Sequence, residues 1–600
     1  MRALRLLAAA GAAATAGISV AVLAQDNPQS ILPPGFGDPP QATTNTATPT
    51  PTPTPTQSSP APSTRREFSD VVASSLSELT SAEQEMALLE PVPQIELPAG
   101  SERDPRLAGP IPAGDSGFGE TMWGGASGKF LSRLLRSNDT PLASRWGHIL
   151  LRNALLTAAP APSDVHPADW AAERAWLLLR LGEADGARML ISGVDVDDFS
   201  PKMFQVAAQS ALANGDPSAL CPLRDGLERV EKNILPLVRA MCASLSGSNE
   251  VAAADIESAR RRGAFQPIDL ALADKVVGAG ADTSRSATIE WDPVDRLNIW
   301  RFGLATATGA VPPDRLMNGV APRVLAWQAR SPILSPEARL AAARVATGLG
   351  VFSSQALIDL YSLIYDATDA SDLGQTDAWQ LRLAMVGRDR DERVGAIRKL
   401  LTSAKSPLEK EAIRAALARA ASRIDPDEEL QEIAPDLIAA MLAGGYDRAA
   451  LRWSAVVDDM DNEYRDRCWA LLALGTPEFR LNSGLLSEFI GNDESPGRQR
   501  SALLVAGLAG LGRITAGTAG RLNKRYGFGL ARSNEWTRTI DGASSRGQAG
   551  TVALLAGTGL QADDFNSVPA LHIYHLVTAL SRNGQQFAAR MIAAEALART

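Results

Sequence analysis

Leu179-Arg180-Leu181-Gly182-Glu183-Ala184-Asp185-Gly186-Ala187, Ala211-Leu212-Ala213-Asn214-Gly215-Asp216 and Ser244-Leu245-Ser246-Gly247-Ser248 decide how this chain folds. Their glycines, Gly182, Gly215 and Gly247, recur at intervals of 33 and 32 residues. Each closes an apolar run, where a helix ends and the chain must turn. Pro201 and Pro267 then stand where following helices would start, with Lys232-Asn233 about midway between them. Proline is at home in a first helical turn because its missing N–H would have had no partner there. A small-residue turn and a proline start, repeating about every 33 residues, mark a helix-turn-helix array.

The apolar positions agree. Trp170, Leu177, Leu178 and Leu181 fall on one side of the first helix, Phe204, Ala207, Ala208 and Ala211 on one side of the second, and Leu235, Val238, Cys242 and Leu245 on one side of the third. One hairpin alone would leave such a stripe wet, so neighbours must stack. The fold class expected is all-α, stacked helical hairpins forming an α-solenoid. Glu173 and Arg174, between Trp170 and Trp176, read as a solvated face.

Ala175-Trp176-Leu177-Leu178-Leu179-Arg180-Leu181-Gly182, with Ala187 beginning the next packing face, resembles the tetratricopeptide family. The resemblance is best over residues 169–266. It recurs at Met441 to Ala450, around Gly444-Gly445, and at Ser581 to Ala589, around Gly584. Between about 290 and 430 the spacing drifts out of register. That family binds peptides and proteins in a concave groove, so the resemblance implies an interaction scaffold.

Outward from the array, the N-terminus has a different character. Met1 to Arg5 carries two arginines, Leu6 to Ala24 is apolar and small, and Gln25 follows. These are the regions of a secretory signal peptide cleaved after Ala24. The alternative is an uncleaved inner-membrane anchor, since the stretch is marginally long enough to span. Residues 25–129 are expected to be a disordered Pro/Thr/Gly-rich linker with one helix at 68–89, and 130–600 the repeat domain. The run Thr48 to Pro55 alternates threonine and proline, which favours extended backbone and builds no core. The setting expected is exported and periplasmic.

Composition narrows the function. Hydrophobic residues make up 45% of the chain and aromatics 5%, and the net charge is −9. Nucleic-acid binding needs clustered cations, whereas the arginines here read as sitting among carboxylates, as in Arg388-Asp389-Arg390-Asp391-Glu392-Arg393. Arg260-Arg261-Arg262 reads as a helix C-terminus, where cations complement the dipole. Nucleic acid is therefore not an expected partner.

Of the cysteines Cys221, Cys242 and Cys468, the first two fall in successive hairpins. In an oxidising compartment they are expected to form a disulfide, leaving Cys468 unpaired.

The candidate interaction residues are Trp123, Trp291, Trp300 and Arg301, because tryptophan and arginine anchor interfaces. Trp123 lies in a segment, Phe118 to Phe130, that would dock on a partner or on the array itself. Other patterns fall short. His572 and His575 share a helix face but have no third zinc ligand in view. Gly114-Asp115-Ser116-Gly117 is similar to a serine-protease nucleophile turn without the scaffold that turn needs. Gly124 to Lys129 lacks the first glycine and the Ser/Thr of a phosphate loop. No catalytic residue, metal or cofactor is expected.

The leading expectation is a non-catalytic scaffold for an envelope protein or peptide, touching a membrane only if the signal segment stays uncleaved. The alternative is a protein acting on cell-wall glycan. Some lytic transglycosylases are built on an α-superhelix and carry Glu followed by Ser, which Glu494-Ser495 resembles, although Pro496-Gly497 departs from their pattern.

Overall fold

The structure, a computed structural model, describes residues 102–138, 141–281 and 288–600. The expected signal segment, the Pro/Thr spacer and the helix at 68–89 lie outside the described residues.

The molecule is a helical-hairpin array with almost no strand among the described residues. It opens with α1 (Gly128–Ser137) and α2 (Arg145–Leu156), followed by the hairpin of α3 (Pro167–Leu181) and α4 (Ala184–Ile191). Next come α5 (Pro201–Ala213), α6 (Leu235–Leu245) paired with α7 (Asn249–Arg262), and α8 (Pro267–Gly280). Gly182, Gly215 and Gly247 all adopt the left-handed backbone that ends each first helix, and Pro201 and Pro267 occupy first turns. α5 packs on α3 and α8 on α6, with the 3-10 turn Pro217–Leu223 bridging α5 and α6. Of the expected face residues only Leu245 is exposed, at 43%.

After α8 the array turns back on itself. α9 (Ile299–Ala307) lies against α5 and α8, α10 (Pro322–Ala329) against α3, and α11 (Pro336–Leu349) against α2. Approach is close: a Cβ on Gly303 would stand 2.5 Å from the Leu212 carbonyl oxygen. The drift in repeat spacing after residue 290 has this cause: α9 to α11 pair along the chain but also lie back over α5, α3 and α2 as a second layer.

The chain continues through α12 (Ser354–Ala367), α13 (Asp377–Val386), α14 (Arg390–Ser403), α15 (Pro407–Ala421) and α16 (Ala434–Ala443). It goes on with α17 (Asn462–Gly475), α18 (Ser483–Asn492), α19 (Gln499–Gly510), α20 (Ala516–Tyr526) and α21 (Glu535–Ser545). α22 (Ala549–Gly559), α23 (Ala570–Arg582) and α24 (Gln586–Ala598) follow. Contacts run from α11 to α15, α16, α17, α19, α23 and α22, then to α2, which touches α11. The circuit is closed, and α24 touches five of its members: α2, α16, α17, α19 and α23. Met591, Ile592, Ala593 and Ala594 are all buried, so the middle of α24 meets protein on every side, as expected of a helix apolar all round.

The N-terminal boundary needs correction. Residues 104–129 are not linker but part of the folded body. Ile111–Pro112 pairs in parallel with Thr157–Ala158, and the buried Arg174 guanidinium donates to the carbonyls of Ala108, Leu155 and Thr157. Burial alone pushes that guanidinium down to about 9. Glu173 is buried as well, holding Arg136 and Lys202 at 2.6 Å each. Glu173 and Arg174 therefore staple neighbouring segments together instead of forming a solvated face.

Candidate functional site

The closed circuit meets at a buried polar junction. Glu595 of α24 accepts hydrogen bonds from Ser144 Oγ (2.6 Å), Arg145 N (2.7 Å) and Trp146 N (3.1 Å). A carboxylate so placed satisfies the otherwise unpaired N–H groups at the start of α2 and faces the positive end of its dipole. The Arg145 side chain crosses to the other helix ends, donating to the carbonyls of Thr347 (3.0 Å) in α11 and Ala443 (2.8 Å) in α16. Arg599 closes the set with 2.7 Å to Glu595. Beside it Glu411 is only 2% exposed. Burial pushes its carboxyl above the usual range and the Glu595 charge adds to this, against the pull of Arg599, Arg414 and Arg145.

On the outer side of this junction lies a cleft of about 1110 Å³. α15, α16, α17 and α19 bring residues from their first turns to it, and α18 and α24 from their last. Pro435, Ala439, Leu471, Phe489 and Leu597 supply its buried apolar surface. Six cations, including Lys405, Lys410, Arg467 and Arg500, face five carboxylates around it, so no single sign of charge dominates.

Several of the carboxylates have structural work. Asp436 holds Arg414 at 2.8 Å, and Asp466 accepts from Asn492 Nδ2 at 2.9 Å. Asp493 accepts from the hydroxyls of Ser495 and Ser501 and from the Ser501 N–H. Burial raises the Asp493 carboxyl, but these hydrogen bonds outweigh it and hold the group below the ordinary carboxylate value. Glu463 and Glu494 are exposed on the cleft.

The residues singled out from sequence have separate fates. Cys221 and Cys242 form a disulfide, with their Cα atoms 5.6 Å apart. Cys468 is free and buried, and burial pushes its thiol up to about 12, the opposite of what a nucleophile needs. Trp123 is not an exposed anchor. It is 4% exposed and meets Trp170 edge-on at 5.1 Å, while Met122 O and Gly124 O accept from Gly550 N and Gln548 Nε2. The Phe118 to Phe130 segment thus docks on α3 and α22 of its own chain.

Trp300 is fully buried, and Arg301 forks onto the buried Asp269 carboxylate at 2.8 and 3.0 Å. Both serve the core rather than an interface. Trp291 is half-buried beside a shallow cavity of about 430 Å³, with Pro293, Pro313 and Arg315. His572 shares a hydrogen bond with the Gly559 carbonyl and His575 with Asp541. Among the described residues no group of three or more His, Cys, Asp or Glu is placed to hold a metal ion. Nor is any helix among them long and apolar enough to cross a membrane.

Sequence reasoning misses the cleft because its lining comes from stretches as far apart as Ala404 and Thr600. Glu494 is the one lining residue that a sequence motif singles out. No family model, no curated protein and no solved structure matches the chain.

Proposed function

We propose that this protein is an exported, non-catalytic scaffold that holds a segment of an envelope protein or peptide in the cleft formed by α15 to α19 and the end of α24. The cleft carries the reading. At about 1110 Å³ it exceeds the ~300–1,000 Å³ of ordinary small-molecule pockets. Its apolar floor with charges of both signs at the rim suits several residues of a polypeptide, whose side chains alternate in the same way.

The Cys221–Cys242 disulfide supports the exported setting, because such bonds persist in oxidising compartments. The leader-like residues 1–24 support it too, with cleavage giving a periplasmic protein and retention an inner-membrane anchored one.

The test is affinity capture from crosslinked envelopes with the wild-type protein and an Arg467→Glu, Lys410→Glu variant. We expect one or two envelope proteins to be captured by the wild type and lost with the variant. Capture that ignores the variant would remove the cleft from the account.

A second reading rests on Glu494 lying on the cleft, where it could act on cell-wall glycan. Glycoside hydrolysis commonly uses a second carboxyl group; the adjacent Asp493 is committed to capping α19, and Glu463 is the other exposed carboxylate on the cleft. Turnover of purified sacculi by the wild type, abolished in Glu494→Gln, would put this reading first.

A further inference from the structure

The stretch between Glu494 and Asp563 breaks the charge balance of the chain. Residues 495–562 carry nine Lys and Arg but only two acids, Glu535 and Asp541, in a protein of net charge −9. Asp541 already serves His575, at 2.9 Å. Arg513 turns inward to the carbonyls of Ala473 and Thr476. Arg521, Lys524 and Arg525 on α20, Arg532 on the following loop, and Arg538 and Arg546 on and just after α21 are all exposed.

Among the described residues none of these six makes an ion pair; Arg521, Arg538 and Arg546 donate only to neutral oxygens of Thr518, Ser533 and Gln548. Elsewhere exposed arginines commonly meet carboxylates, as Arg390 meets Asp427 and Arg260 meets Glu257. α20 lies on the outside of the body: Ala519 is its one buried residue. On helix geometry Arg521, Lys524 and Arg525, three and four apart, share a face.

What the region lacks decides the kind of partner. No large hydrophobic side chain between Tyr446 and Phe587 is exposed. Stable protein interfaces keep an apolar centre inside a polar rim. A bilayer surface needs none, because anionic headgroups attract exposed Lys and Arg through charge alone and adapt to their spacing. Arginine suits that role, since its planar fork matches phosphate oxygens.

We infer that α20, the loop after it and α21 form a peripheral docking face for an anionic membrane surface, with the guanidinium groups on lipid phosphates. The inference is independent of the cleft and of any N-terminal anchor. It would orient a protein that is otherwise repelled by anionic lipid.

Co-sedimentation of the purified protein with phosphatidylglycerol/phosphatidylcholine vesicles tests it, with pure phosphatidylcholine vesicles as reference. Wild type should bind the anionic vesicles more tightly, and high salt should abolish the difference. The triple variant Arg521→Glu, Lys524→Glu, Arg525→Glu should bind about tenfold more weakly or worse. A variant with Arg260, Arg261 and Arg262 each changed to Glu makes the same change in net charge elsewhere and should bind as wild type does.

Equal binding of wild type to both kinds of vesicle would overturn the inference. So would unchanged binding of the α20 variant, or equal losses in both variants, which would report net charge alone. Thermal melts confirm that the variants are folded. Should the α20 variant melt early, Arg532→Glu, Arg538→Glu, Arg546→Glu replaces it with the same expected loss.

Discussion

In α3 to α8 each helix packs on its neighbours in the chain, through Ala and Leu faces, positive-φ glycine turns and a disulfide closing a loop of 21 residues, before α9 and α10 cover it. In the circuit from α11 to α24 the decisive contacts join residues hundreds of positions apart, and many are charged. Ser144 and Arg145 meet Glu595 across about 450 residues. The first region can form piece by piece, as repeat arrays do. The second cannot be satisfied in parts, because a buried charge without its partner costs more than the pair contributes.

The sharpest way to break this comparison is to remove the junction carboxylate. Glu595→Ala should destabilise the protein by about 3–5 kcal/mol in urea unfolding, because it strands the N-terminus of α2 without its acceptor and leaves the buried Arg599 charge with only the Ala143 carbonyl. A loss below about 1 kcal/mol would mean that the circuit does not depend on it. Replacing both Cys221 and Cys242 by serine should cost about 3 kcal/mol, the entropy of the opened loop, and should leave the far circuit folded by hydrogen exchange.

Glu411→Gln should act in the other direction, raising stability at neutral pH, since a neutral amide removes a buried charge facing another carboxylate while Arg414, 3.8 Å from Glu411, keeps Asp436 at 2.8 Å. The pH dependence follows from the raised carboxyl. The folded protein holds that proton more tightly than the unfolded chain. The resulting stability is fully present below the unfolded carboxyl value of about 4 and is lost as pH rises through the raised folded value. The advantage of Glu411→Gln should therefore shrink on acidification, and a constant advantage in melts across this range would contradict the assignment. At the small end, Arg260→Ala removes a half-exposed pair on α7 and should change stability by less than about 0.5 kcal/mol.

How much was legible follows the same division. Gly182, Gly215, Gly247, Pro201 and Pro267 act through local backbone geometry, so the sequence shows what they do, and the Cys221–Cys242 pair followed from the hairpins they define. The return layer α9 to α11 is not legible, because besides its chain neighbours it packs on α5, α3 and α2, more than 80 residues earlier in the chain. Glu173 and Arg174 look solvated in the sequence because polarity predicts exposure only until a specific partner overrides it. Trp123, Trp300 and Arg301 have the residue types of binding anchors, but Trp170 and Asp269 claim two of them and the core the third. The cleft needed six helices to assemble before it existed. The basic stretch 495–562 is legible in the sequence, but its excess charge disappears within the whole-chain net of −9.

The bond between Arg145 and Glu595 also sets a schedule. A ribosome adding about 5–20 residues per second needs roughly 20–90 s to deliver the 450 residues that separate them. Through that interval the start of α2 stands without its acceptor, and the inner faces of the circuit without α24. The opening hairpins, whose contacts are closer in the chain, need no such wait. Closure belongs to the end of delivery, so an aborted or stalled chain would be left open, with its apolar lining available to proteases and chaperones.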